Sequence, residues 1–197
     1  MTRFVLIAVC CSLTLLVACY PAKEVPKEPF YFETTIFEGR SDYPVVRIPG
    51  MIESAAGTIL AFAEGRESLY DHGDIDIILR RSEDNGKTWG PLMVVFDFGT
   101  ETAGNPTPVL DKETGRIWLP FCTNTSEDKY FRRVWMTWSD DDGLTWADPK
   151  EITADVKPED WFWYAMGPGR GIQMESGRLV IPSNHADVNR VRRSHVI

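Results

Sequence analysis

Two arginines and one aspartate in this chain stand where chemistry is possible. Arg47 closes Tyr43-Pro44-Val45-Val46, Arg66 closes Leu60-Ala61-Phe62-Ala63-Glu64-Gly65, and Asp71 follows in an acidic loop. Both arginines lie at ends of short apolar runs, where a pocket can use them. A planar guanidinium holds a carboxylate through two parallel hydrogen bonds, a grip that Lys cannot copy. Such a pair implies an anionic ligand, and a nearby carboxyl group adds a site for moving a proton. Asp74, after Gly73, competes with Asp71 for that role, whereas Asp76 alternates inside an apolar run and reads as structural. Asn105 in Gly104-Asn105-Pro106 reads by itself as a turn residue before proline.

The elements that must carry these residues are legible through a repeat. Ser82-Glu83-Asp84-Asn85-Gly86-Lys87-Thr88-Trp89 returns as Ser139-Asp140-Asp141-Asp142-Gly143-Leu144-Thr145-Trp146, displaced by 57 positions (139 minus 82) with five identities. A second series keeps step: Gly57, Gly115 and Gly177 each precede an apolar strand, at spacings of 58 and 62. The unit is therefore about 60 residues, the length of a repeated supersecondary structure rather than of one hairpin. Within each unit short β-branched and aromatic runs alternate with Gly, Pro, Asp and Asn clusters, and no sustained helical period occurs after the leader. Ile75 to Leu79 and Val134 to Trp138 lead directly into the two boxes. An all-β fold of blade-like units packed around a channel is predicted. In each box the aspartate bonds back to the main chain, the glycine supplies a positive φ and the tryptophan covers the hairpin. Because the whole motif recurs, it reads as architecture and not as a calcium or catalytic site.

The ends and composition narrow the setting. Met1 to Ala18 carry Arg3 and an apolar run of 15 residues from Phe4 to Ala18, shorter than the roughly 20 residues that span a bilayer, and are predicted to be a secretion signal. Leu16-Val17-Ala18-Cys19 resembles a bacterial lipobox, so Cys19 is the expected lipidation site, and residues 19–30, rich in Pro, Lys and Glu, form a solvated tether. The expectation is an exported, membrane-anchored lipoprotein, periplasmic or at the cell surface, with residues 31–197 as its folded part. With Cys10 and Cys11 in the leader and Cys19 lipidated, Cys122 is left alone, most simply as a buried small residue. The formal charge of −8 becomes −9 when Arg3 leaves with the signal. So acidic a domain is a poor partner for nucleic acid, and attraction for an anion must come from a local arginine cluster. His72, His185 and His195 have no metal-ligand spacing and no phosphate loop is present, so neither a metal nor an organic cofactor is expected. Asn124-Thr125-Ser126 matches a glycosylation sequon, to which a bacterial leader gives no weight.

The boxes resemble the Asp-boxes (BNR repeats) of sialidases, or neuraminidases, which are six-bladed β-propellers that remove terminal sialic acid. Tyr43-Pro44-Val45-Val46-Arg47-Ile48-Pro49 resembles the family's Tyr-Arg-Ile-Pro start, with two residues inserted. Leu60 to Arg66, Gly104-Asn105-Pro106 with Pro108, and Tyr164-Ala165-Met166-Gly167-Pro168-Gly169 resemble three further landmarks in the family's order. The resemblance implies about three blades of a larger ring and an exo-α-sialidase acting on sialylated glycans with retention. It gives Arg47 the substrate carboxylate as the first of three arginines, places Arg66 beside the far hydroxyls and the acid, and sets Asn105 near the acetamido side. Asp71 becomes the acid/base, a role that calls for surroundings that retain its proton.

The family's tyrosine nucleophile, an exception among glycosidases, its glutamate partner and the other two arginines come from later blades. With boxes starting at 82 and 139, a third would begin near position 199, so the chain reads as the first part of a longer protein, inactive by itself. Tyr70 and Tyr164 are local tyrosines, but neither matches the nucleophile's place. The rival expectation is a non-catalytic propeller that binds carbohydrate at the cell surface; a hydrolase for a related acidic sugar is a second. Downstream Glu, Tyr and arginines in the full-length protein discriminate the first rival, and a panel of glycosides the second.

Overall fold

The computed structural model describes residues 31–197; the predicted signal (1–18), Cys19 and the tether (19–30) lie outside the described residues. Fourteen strands and one four-residue helix follow in order. The first unit is an antiparallel meander of β1 (Val45–Glu53), β2 (Ile59–Arg66), β3 (Ile75–Ser82) and β4 (Met93–Phe96). The second contains β5 (Thr102–Gly104), β6 (Val109–Leu110), β7 (Ile117–Asn124), β8 (Arg133–Ser139) and β9 (Lys150–Glu151), with β5 and β6 both pairing with β7. Helix α1 (Thr153–Val156) leads to the third, made of β10 (Trp161–Met166), β11 (Ile172–Gln173), β12 (Leu179–Val180), β13 (Pro182–Asp187) and β14 (Arg192–Val196). There β10, β13 and β14 form one sheet, and β11 pairs with β12. The first two units join through a single parallel pairing, Ile75 with Thr102. The architecture is all-β and matches three successive blades of a propeller, as the 60-residue repeat predicts.

The core lies between the units because each strand has two faces to bury. In β7, Ile117, Leu119 and Phe121 pack with Leu60, Phe62, Ile77 and Leu79 of the first unit. Its alternate residues Trp118 and Cys122 turn the other way, toward Tyr164, Met166 and Ile181 of the third. Strand periodicity of two thus makes one strand serve two cores. Cys122 is fully buried, and burial pushes its thiol up to about 11, which suits a packing residue and not a nucleophile. Asn124 is likewise buried and unavailable as a glycan acceptor.

Both boxes close with the same hydrogen bonds. In the first, Ser82 Oγ donates to Asp84 and accepts from the Gly86 amide, while Asp84 accepts from the amide and hydroxyl of Thr88. Ser139, Asp141, Gly143 and Thr145 repeat this pattern. The variable position supplies a second function that its neighbours do not reveal in sequence. Asp142 accepts from Thr58 Oγ1 at 2.5 Å and Arg81 Nη2 at 2.7 Å, so the second box stitches its unit onto the first.

The inner strand of each unit is broken at one place. A residue with positive φ stands there before a proline: Ile48 (φ 54), Asn105 (φ 59) and Gly167 (φ 69). Their spacings, 57 (105 minus 48) and 62 (167 minus 105), keep step with the boxes. For β-branched Ile48 this is a strained backbone, costing on the order of 1–3 kcal/mol. It coincides with a bulge in the β1 to β2 pairing between Arg47 and Gly50, which bends the strand and re-aims Arg47. The three breaks converge on the axis: a Cβ on Gly50 would lie 2.8 Å from the Gly169 carbonyl oxygen and 3.1 Å from that of Pro106. Only glycine allows that approach.

Candidate active site

The converging breaks leave a cavity of about 220 Å³ at one end of the units. Arg47, Arg66, Asp71 and Asn105 all line it, so the structure brings together every pocket residue singled out in the sequence. Asp74, Asp76, Tyr70 and Tyr164 do not line it.

The organising group is Glu64, which the sequence offered only as part of a landmark. Residues 64 and 66 share one face of β2, and both are 3% exposed. Arg66 donates to Glu64 Oε2 through Nε at 2.7 Å and also through Nη2. The other carboxylate oxygen of Glu64 accepts the Asn105 amide at 2.7 Å. One buried carboxylate therefore ties the first unit's arginine to the second unit's strand break. Space for it depends on Gly104, where a Cβ would sit 2.5 Å from Glu64 Oε1.

Arg66 turns its remaining nitrogen outward. Nη1 donates to Asp71 Oδ1 at 2.8 Å and to the Tyr70 carbonyl at 2.9 Å. Arg47 Nη1 reaches the same Asp71 oxygen at 3.1 Å. Asp71 itself is 70% exposed at the mouth of the cavity. The Arg66 hydrogen bond, with the charges of Arg66, Arg47 and Arg132, holds its carboxyl below the usual carboxylate range despite partial desolvation. This corrects the expectation that the acid's surroundings retain its proton: in the free pocket they favour its release. An anion bound at Arg47 would oppose this depression, since it competes for Arg47 and places negative charge beside Asp71.

The alternatives to Asp71 have other duties. Asp74 closes its own loop, accepting the Glu67 amide at its carbonyl. Asp76 is buried in β3 and accepts the Tyr43 hydroxyl at 2.5 Å. Desolvation raises its carboxyl to about 6, with Asp97 adding to the rise and the Tyr43 hydrogen bond opposing it. A carboxyl whose folded pKa exceeds the unfolded one stabilises the protein at low pH, and that stability is lost as pH climbs from about 4 through 6. Asp76→Asn, which still accepts from Tyr43, is therefore expected to raise Tm at pH 7 by the equivalent of on the order of 1 kcal/mol and to change it little at pH 4. Thermal unfolding at the two pH values is the check; equal shifts at both would remove the ionisation argument.

Tyr164 is fully buried in the second core with its hydroxyl 3.1 Å from His195 Nε2, and burial pushes its phenol up to about 12. It faces away from the cavity, while its neighbours Trp163 and Ala165 line it. Tyr70 is exposed and stacks on His72.

Arg132, Trp163 and Asn184 also line the cavity, from outside every landmark quoted for the pocket. Arg132 is 8% exposed, donates through Nη1 to Asn105 Oδ1 at 2.5 Å and lies 5.3 Å from the Trp163 ring centroid. Trp163 and Asn184 arrive from β10 and β13 of the third unit. No local sequence signal marks Arg132 or Asn184; only pairing between units brings them in.

Comparison with known proteins agrees with this geometry. Residues 57–197 match the BNR repeat-like domain family. An exo-alpha-sialidase of Aspergillus fumigatus is 38% identical over 164 residues, covering 70% of this chain and 40% of that protein. A sialidase of Bacteroides fragilis is 29% identical, covering 81% of this chain and 34% of its own length. Among solved structures, the Hadza microbial sialidase Hz136 superposes with a TM-score of 0.75 at 29% identity, over 79% of this chain and 35% of that one. The chain thus spans about 40% of the length of the first curated relatives it matches. Repeated boxes, matching strand breaks and these likenesses together establish that the chain belongs to the BNR repeat family, among the sialidases.

Proposed function

We propose that the full-length protein is an exo-α-sialidase that removes terminal sialic acid from glycoconjugates with retention, and that this chain supplies one wall of its site. The observation that carries the reading is the Arg47, Arg66 and Asp71 cluster, in which one carboxylate oxygen is shared by two guanidinium groups. Arg47, the more exposed of the two arginines, takes the carboxylate on the anomeric carbon of the sugar. Arg66 stays fixed by Glu64 and keeps Asp71 aimed at the leaving oxygen. Freed from Arg47 and placed beside a second anion, Asp71 gains a proton. It donates that proton as the glycosidic C–O bond breaks and a tyrosine from another part of the protein, its own proton passing to a partner glutamate, bonds to the anomeric carbon. Water then attacks that carbon, Asp71 takes a proton from it, and the tyrosine leaves with the proton returned by the glutamate. Asn105 and the Trp163 side of the cavity hold the ring.

Activity of the full-length protein tests the reading. Arg47→Lys keeps the charge but removes the fork, and is expected to raise KM for a sialyl glycoside by about tenfold with a smaller change in kcat. Unchanged KM would show that the carboxylate binds elsewhere.

A further inference from the structure

Arg132 plays no part in the chemistry above, and its surroundings do not account for its charge. It is 8% exposed, yet among the described residues no Asp or Glu forms an ion pair with it. No carboxylate bonds to it: Nη1 donates to the Asn105 amide oxygen, the Trp163 ring lies against the guanidinium, and its buried Nε has no partner. The cavity wall carries three guanidinium groups, of Arg47, Arg66 and Arg132, against two carboxylates, of Glu64 and Asp71. Both carboxylates are committed to Arg47 and Arg66, so the one unmatched positive charge resides on Arg132. A buried charge without a counter-charge is costly unless something else completes it.

Its placement is also actively held. Lys157, buried and without a carboxylate partner among the described residues, donates from Nζ to the Arg132 carbonyl at 2.8 Å and sits 3.7 Å from the Phe131 ring centroid. Two buried cations in succession are not explained by core packing. They make sense if the first is a fixture that keeps the second facing the cavity. Because Arg only donates, Asn105 Oδ1 is occupied, and this side of the cavity presents N–H donors.

We propose that Arg132 is a ligand-binding residue of this pocket, donating to an oxygen acceptor on the bound sugar acid away from its anomeric carboxylate, with Lys157 as its positioning residue. The inference rests on the sugar-acid reading above, and its failure is separable from the failure of that reading.

The test uses the full-length protein and titrates free sialic acid and its set of mono-deoxy analogues. Arg132→Leu is expected to weaken sialic acid binding about tenfold or more, the size of a hydrogen bond to a charged group. One deoxy analogue should bind the unaltered protein more weakly than sialic acid, yet bind Arg132→Leu as well as sialic acid does. Lys157→Met should weaken binding less and add little when combined with Arg132→Leu, since the two act through one contact. A general structural effect would instead lower the affinity of every analogue alike. If Arg132→Leu does not fold, Arg132→Lys carries the same comparison across the deoxy set. Affinity unchanged in the Arg132 variants, or a uniform loss with no analogue singled out, overturns the inference. Loss of binding in Arg47→Leu alongside either result leaves the sugar-acid reading standing; retained binding in Arg47→Leu overturns that reading itself.

Discussion

Asp71→Asn in the full-length protein is expected to slow hydrolysis of glycosides with poor leaving groups, such as sialyllactose, by about 10²–10⁴. Aryl glycosides with acidic leaving groups should lose far less, because they depart without a proton. The difference arises from the position of Asp71: exposed at the cavity mouth, it does not build the pocket, so its removal leaves Glu64, Arg66 and Asn105 in place. The pH dependence should separate two states of the same carboxyl. In the free protein the Arg66 hydrogen bond and neighbouring cations depress its pKa, so the basic limb of kcat/KM should lie at low pH. With substrate bound, the basic limb of kcat should move upward, since kcat reports the complex. Superimposable limbs would contradict the displacement of Asp71 by substrate, and equal losses on both classes of glycoside would remove it as the acid.

The second large effect concerns stability. Glu64→Leu should destabilise the fold by about 3–5 kcal/mol, because it leaves Arg66 buried and unpaired. The double variant Glu64→Leu with Arg66→Met should recover much of that loss, since no uncompensated charge remains. Denaturant unfolding of the two variants and the unaltered protein gives the comparison. A double variant as unstable as the single one would mean that the lost Asn105 contact, not the stranded charge, dominates.

How much of this was legible in sequence follows from the range of the interactions. The hydrogen bonds that close the boxes are local, each spanning four residues or fewer, and their chemistry is written in Ser, Asp, Gly and Thr at fixed spacing. Arg47, Arg66, Asp71 and Asn105 could be placed because landmarks of the family surround them. What remained hidden depends on contacts between units. Glu64 reaches Asn105 across 41 positions, and Arg132 reaches it across 27. Tyr164 could not be assigned a face from a strand that is aromatic on both sides, and only its pairing with His185 turns it into the core. A proline follows each strand break in the sequence, but a left-handed Ile48 is so improbable that only the backbone reveals the pattern. The depressed pKa of Asp71 owes most to the hydrogen bond from Arg66, and the further lowering by Arg47 needs a through-space position 24 residues away.

The central claim is that this pocket reads a carboxylate on the sugar it cleaves. The most direct measurement compares the full-length protein's kcat/KM for an aryl α-sialoside with that for the methyl ester of the same compound, which differs only in lacking the negative charge. Cleavage of the acid with a loss of about 100-fold or more on the ester is predicted from the Arg47 contact. Equal cleavage of the two, or cleavage of neither, would contradict it.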